Sequence, residues 1–182
     1  MEHTNHPLTL DNMPDDMLRL IVSKVGAASS TDYANTVITC KGLNFGLDDP
    51  LMARTLNIAP VVDRPHLADQ YEQLIEQLMA ANNLDAQYVT GMREFFHFDN
   101  NFLGLHFLRL ASSGGHREAK YLYGLLHMAL GWIEYGKKIL SELTDAEGIS
   151  SIERIWVSQL NVRMKDQYVD ALCNQRLVAT QE

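Results

Sequence analysis

Cationic surplus, cysteine and long apolar runs are all scarce in this chain, and each shortage removes a class of function. Lys and Arg number 15 against 23 Asp and Glu, for a net charge of -8 at pH 7. Nucleic acid and anionic membrane surfaces select cationic excess, so neither fits as the main partner. The only two cysteines, Cys40 and Cys173, stand far apart within helix-like sequence, which speaks against a disulfide framework or a cysteine-rich zinc site. Each reads as a structural thiol. No apolar stretch approaches the roughly 18 residues of a membrane span, and the opening "MEHTNHPLTLDN" has neither the basic start nor the apolar centre of a signal peptide. A cytoplasmic and/or nuclear location is the expectation.

Catalytic patterns are equally thin. His97, His106, His116 and His127 are separated by 9, 10 and 11 positions, none of them the i, i+4 spacing of a helical zinc pair, so a metal-dependent hydrolase is a poor reading and no metal or cofactor is expected. The pairs Asp15-Asp16 and Asp48-Asp49 sit at helix starts, where they complement the helix dipole, and do not suggest an acid and a base. No glycine-rich phosphate loop emerges.

What the chain does have is helix, at an ordinary globular composition of 46% hydrophobic and 21% charged residues. Residues 1–9 read as a frayed tail. In "NMPDDMLRLIVSKV" Pro14 suits the first helical turn, which leaves Met13 as an N-cap without a capping oxygen. Met17, Leu18, Ile21, Val22 and Val25 then recur at helical spacing, with Leu20 off the stripe. "GAASS" breaks the pattern, a second helix runs from about Thr31 to Leu43 with Ser30, Thr31 or Asp32 able to cap it, and Pro50 opens a short helix after Asp48-Asp49. "APVVDRP", with two prolines, reads as an extended connector over 59–65 and as the domain boundary. Residues 60–182 are accordingly expected to fold by themselves.

Beyond the connector the sequence repeats. "DAQYVTGM" from Asp85 matches "EAKYLYGL" from Glu118, so Ala86, Tyr88 and Gly91 align with Ala119, Tyr121 and Gly124 at a spacing of 33 residues. Gly136, Ile139 and Leu140 answer Gly104, Phe107 and Leu108 at 32. Each unit is expected to be a pair of antiparallel helices, near 86–98 and 102–112, then near 118–130 and 134–143. Such pairs bury their faces by stacking. Gly91 and Gly124 in mid-helix each cost about 1 kcal/mol against alanine, which calls for close approach of a neighbouring helix as compensation. Tyr88, Phe95, Phe96, Tyr121 and Tyr123 fit a core better than a binding surface. Two repeats are few, so a helix over Leu67 to Met79 and capping helices over 149–182 complete the stack; in the latter, Ser150 and Glu153 have capping-box spacing ahead of an apolar run.

The opening segment resembles the F-box. The counterparts of its motif are Met13-Pro14, Asp16-Met17-Leu18, Ile21-Val22-Ser23 and "VITCKGLN" with Cys40 and Lys41. "FLRLASSGGHREAKYLYG", Phe107 to Gly124, is similar to the Sel-type, tetratricopeptide-related repeats that follow the F-box in a plant-type subset. Met13 stands where leucine is usual, Leu43 where an aromatic is common, and the cysteine-rich zinc finger of some relatives has no counterpart. The resemblance implies an all-α protein: an F-box of three helices over 10–58, a linker over 59–65, a short α-solenoid over 66–148 and capping helices over 149–182. It further implies a non-catalytic, substrate-recruiting subunit of a Skp-cullin-F-box ubiquitin ligase, with a protein substrate of unknown identity on the repeats. Met13, Pro14, Met17, Leu18, Ile21, Val22, Val37, Ile38, Cys40, Lys41 and Leu43 would be the adaptor-binding set, some of them shared with the motif's own core. The competing reading keeps the helical array as an interaction scaffold with no ubiquitin role.

Overall fold

The computed structural model describes residues 10–147, and the expected tail over 1–9 and capping helices over 149–182 lie outside them. The described chain is all-α, with no strand among its residues. Its helices are α1 (Asp15–Ala28), α2 (Ser30–Thr39), α3 (Pro50–Thr55), α4 (Ala59–Val62), α5 (Glu72–Ala80), α6 (Leu84–Phe96), α7 (Asn101–Ser113), α8 (Arg117–Ala129) and α9 (Ile133–Glu147). A 3-10 helix over Pro65–Tyr71 leads into α5.

Two compact units form, and their division differs from the expected one. The first holds residues 10–58 together with 73–83, the second 59–72 together with 84–147. The proline-bearing stretch is no extended connector either: Ala59–Val62 winds into a helical turn with Val61 buried. Both of its prolines stand at helix starts, where a missing N–H is harmless.

In the first unit α1 packs on α2 and α3. Leu18, Val22, Tyr33, Met52, Ala53 and Leu56 are its buried apolar side chains on those helices. The Asn57 N–H donates to the Gly26 carbonyl at 2.9 Å, and the Tyr33 hydroxyl to the Phe45 carbonyl at 2.7 Å. Residue Asn83 completes this unit from the far side of the sequence. After α5, Asn82 adopts a left-handed φ of 57°, and the Asn83 N–H returns to the Leu78 carbonyl at 2.9 Å, closing the helix. The Asn83 side chain is buried, and its Nδ2 donates to the carbonyls of Ala53 at 2.9 Å and Leu56 at 2.8 Å, at the open C-terminal end of α3. Helix ends need such partners for their last carbonyls. Asn83→Leu keeps the branched shape at a larger volume and removes the donors, so it is expected to cost about 2–3 kcal/mol, read from the urea midpoint.

In the second unit the hairpins α6–α7 and α8–α9 stack through α7 and α8, while α4 and the 3-10 helix lie against α6. The helix bounds fall within two residues of the repeat-based expectation, except that α9 runs four residues further. Tyr88, Met92, Phe95, Leu108, Ala111, Ala119, Leu122, Tyr123, Leu126 and Ile139 form one buried cluster, so the aromatic residues at helical spacing are largely core, with Phe96 packed at its edge. His116 is the buried N-cap of α8. Its Nδ1 accepts the Ala119 N–H at 3.1 Å, which leaves the other ring nitrogen as the donor, 3.4 Å from an Asp85 carboxylate oxygen, and the ring stacks on Tyr88.

Burial pushes the Tyr123 phenol up to about 12, helped by the neighbouring Tyr135 hydroxyl and opposed by Arg109. The unfolded phenol ionises near 10, so stability is unaffected below that pH and declines as pH rises from 10 to 12, where only the unfolded chain gives up the proton. Tyr123→Phe is expected to flatten this decline, measured as denaturation midpoints between pH 9 and 12.

Candidate interaction surface

The candidate site is the outward side of α1 with the end of α2. A 3-10 turn over Leu10–Asn12 leads to Met13, whose N–H donates to the Leu10 carbonyl. Pro14, at φ -56° and ψ 140°, occupies the N-cap, so the helix starts one residue later than expected and Pro14 stands just ahead of its first turn. Its carbonyl accepts the N–H groups of Met17 at 2.9 Å and Leu18 at 3.1 Å, and no side chain caps the helix. Met13 is therefore not the cap; it lies half-buried ahead of the helix, while Pro14 is exposed. Asp15 and Asp16 in the first turn favour the positive end of the dipole.

Two apolar stripes run along α1 on different sides. Leu18 and Val22 face inward, Val22 with no exposed surface, and Gly26 continues that side against Leu56 and Tyr33. Met17, Leu20 and Ile21 face outward, each at least 40% exposed, with Lys24 at the next helical position. Arg19 turns away from both stripes to pair with Asp49 at 2.7 Å. Thus Leu18 and Val22 belong to the chain's own core. Leu20, off the stripe expected from the sequence, is a member of the outer face. Its signal was present: Met17, Leu20, Ile21 and Lys24 are themselves at i, i+3, i+4, i+7.

The second segment is also shorter than expected. Ser29, not one of the three residues after it, caps α2: its backbone is extended and its hydroxyl accepts the Asp32 N–H at 3.1 Å. Thr39 ends the helix, Cys40 is its C-cap, and Lys41–Leu43 form a separate 3-10 turn. Val37, Cys40 and Leu43 are half-buried, Lys41 is exposed, and Ile38 is 81% exposed. An isoleucine so open to water is costly unless covered, since burying such a side chain is worth about 1.5–3 kcal/mol.

Nothing in this region resembles a reaction centre. Among the described residues no three His, Cys, Asp or Glu side chains converge as a metal site, and no helix is long and apolar enough to cross a membrane.

Comparison with known proteins agrees with both halves. The family model "Plant tetratrico peptide repeats" matches residues 59–160. The F-box protein At2g35280 of Arabidopsis thaliana is 34% identical over 146 residues, covering 80% of this chain and 90% of that protein. Two further Arabidopsis thaliana proteins, F-box protein At1g67340 and F-box protein At5g50450, are 28% and 27% identical over 66% and 64% of this chain, which spans only 32% and 37% of their lengths. No solved structure matches. With a repeat family that takes in more than half of the residues, and an F-box relative aligned over nearly its whole length, the chain belongs to the plant F-box proteins with tetratricopeptide-related helical repeats.

Proposed function

We propose that this chain is the substrate-recruiting, non-catalytic subunit of a Skp-cullin-F-box ubiquitin ligase, acting in the cytoplasm and/or nucleus. The outward apolar stripe of α1 carries the reading: Met17, Leu20 and Ile21 stand in water on a helix whose opposite side already fills the core. A helix apolar on two sides has one side too many for a free monomer. An adaptor of the Skp family supplies the cover, with Pro14, Ile38 and the half-buried Met13, Val37, Cys40 and Leu43 at the margin and Lys41 at the rim. Leu18 and Val22 support the surface from within.

The repeat unit would hold the protein substrate. Ubiquitin chemistry requires no nucleophile here, because tethering alone raises the effective concentration of a substrate near a ligase-bound donor. Co-expression with a Skp-family protein tests the reading: a stable complex in gel filtration is expected. A folded chain that leaves every Skp-family protein unbound would make it an interaction scaffold instead.

A further inference from the structure

The turns that close the two helical hairpins differ in kind from the turn between them. Phe98 and Phe102 flank the α6–α7 turn, and Leu130, Trp132, Ile133 and Tyr135 surround the α8–α9 turn; all six are exposed, Phe102 by 86% and Trp132 by 67%. Because α7 and α8 pack as antiparallel neighbours, the start of α7 lies beside the end of α8, and both turns stand at one end of the repeat unit. The opposite end, where Ser112, Ser113, Gly114 and Gly115 lead into α8, is small and polar. The repeat itself does not require this apolar ridge. Trp132 and Ile133 stand 32 residues beyond Asn100 and Asn101. Asn100 caps α7 by accepting the Leu103 N–H on its side chain. Trp132 holds the same place for α9, its carbonyl accepting the Gly136 N–H at 3.0 Å, yet an indole offers no acceptor for a cap.

We propose that this ridge is a homodimer interface, a second copy of the chain covering it about a two-fold axis that sets the α6–α7 turn of each copy on the α8–α9 turn of the other. Area supports that occupant. A covered aromatic side chain buries roughly 150–250 Å², so the exposed parts of the six side chains amount to roughly 600 Å² of apolar surface. That is at the upper end of the roughly 300–600 Å² found as the largest apolar patch on a typical monomer. A standard contact takes roughly 800 Å² from each partner, a little over half of it apolar. Charge supports it as well. The chain carries -8, so two copies repel over most of their surface. At the ridge the charges are nearly balanced: Lys137 pairs with Glu134 at 3.0 Å, and Arg93, 5.4 Å from the Phe98 ring centroid, pairs with Asp69, which leaves Asp99 as the excess. A self-complementary contact needs that balance, because a two-fold axis brings one surface against itself. The inference does not depend on the adaptor reading. If both hold, one assembly carries two α1 surfaces and two repeat units, which strengthens the capture of a substrate with more than one attachment point.

Sedimentation velocity of the full chain over a concentration series tests the proposal, and a reversible species with the mass of two chains is expected. Phe102→Asp and Trp132→Asp should each raise its dissociation constant by roughly thirtyfold or more. Both substitutions suit the local backbone, since aspartate is favoured at a helix N-cap and in a first turn, so each variant should keep its cooperative melt. A wild-type chain that stays monomeric overturns the proposal and leaves the ridge to a different protein or to other residues of the same chain. A dimer that survives both substitutions overturns it too. So does a dimer lost in Met17→Glu, which would put the self-contact on α1.

Discussion

Gly104→Ala is expected to lower the melting temperature by roughly 6–12 °C, and Gly104→Leu to unfold the repeat unit. At the crossing of α6 and α7 a β-carbon on Gly104 would lie 2.6 Å from the Phe95 Cβ, 2.7 Å from its backbone nitrogen and 2.8 Å from its Cα. Two of those three atoms are backbone, so no rotamer change relieves the contact and the hairpin must open. Alanine gains about 1 kcal/mol of helix propensity over glycine. Overpacking a tight site costs typically 1–3 kcal/mol and more where relaxation is blocked; here, against backbone atoms, a cost of about 4 kcal/mol leaves a net loss of about 3 kcal/mol. For a chain of this size 1 kcal/mol corresponds to about 2–4 °C. Gly91, across the same crossing, would strike Leu108, and Gly124 and Gly136 repeat the arrangement between α8 and α9. Gly42→Ala is the control, because nothing lies within 4 Å of the added carbon and its melting temperature should not move. A calorimetric scan of the three variants decides the matter; an undisturbed Gly104→Ala would mean that the two helices are not held this closely.

Met17→Glu and Ile21→Glu are expected to weaken Skp-adaptor binding by roughly thirtyfold or more each while leaving the fold intact. The two side chains are exposed in the free chain, where surface substitutions usually change stability by no more than about 0.5 kcal/mol. In a complex they would be central and desolvated, and truncating or charging such a residue costs about 2 kcal/mol or more. Leu18→Asp and Val22→Asp behave differently. Both place a carboxylate in the core of the first unit, so they should lose binding and melting transition together. Isothermal titration with a purified Skp-family protein, beside a thermal melt of each variant, separates the two groups. Binding retained by Met17→Glu and Ile21→Glu would remove α1 from the interface.

The repeat was legible because its signal is redundant: tyrosine, alanine and glycine recur at one interval, and each helical hairpin has the same internal geometry. Even the need for close approach at Gly91 and Gly124 could be inferred, since glycine is unfavourable in a helix without a packing reason. The division of α1 was not legible. Met17, Leu18, Ile21 and Val22 satisfy a single helical stripe as well as two, and only the placement of α2 and α3 shows that Leu18 and Val22 turn inward. The N-cap of α2 was ambiguous for a similar reason, because Ser29, Ser30, Thr31 and Asp32 all carry suitable oxygens and the choice depends on where the backbone becomes extended. Asn83 gave no local sign at all. Its value lies in carbonyls 27 and 30 positions earlier, a distance over which periodicity says nothing.

The hydrogen bonds from Asn83 to the end of α3 bear on how this architecture could be cut or exchanged. Since the backbone alternates between units at 58/59, 72/73 and 83/84, a single scission cannot release either half complete. A fragment beginning at residue 60 would carry residues 73–83 away from the unit they belong to, and a fragment ending at 58 would be left without the amide that seals its last helix. Any chimera that grafts another F-box onto these repeats must therefore transplant residues 73–83 along with it.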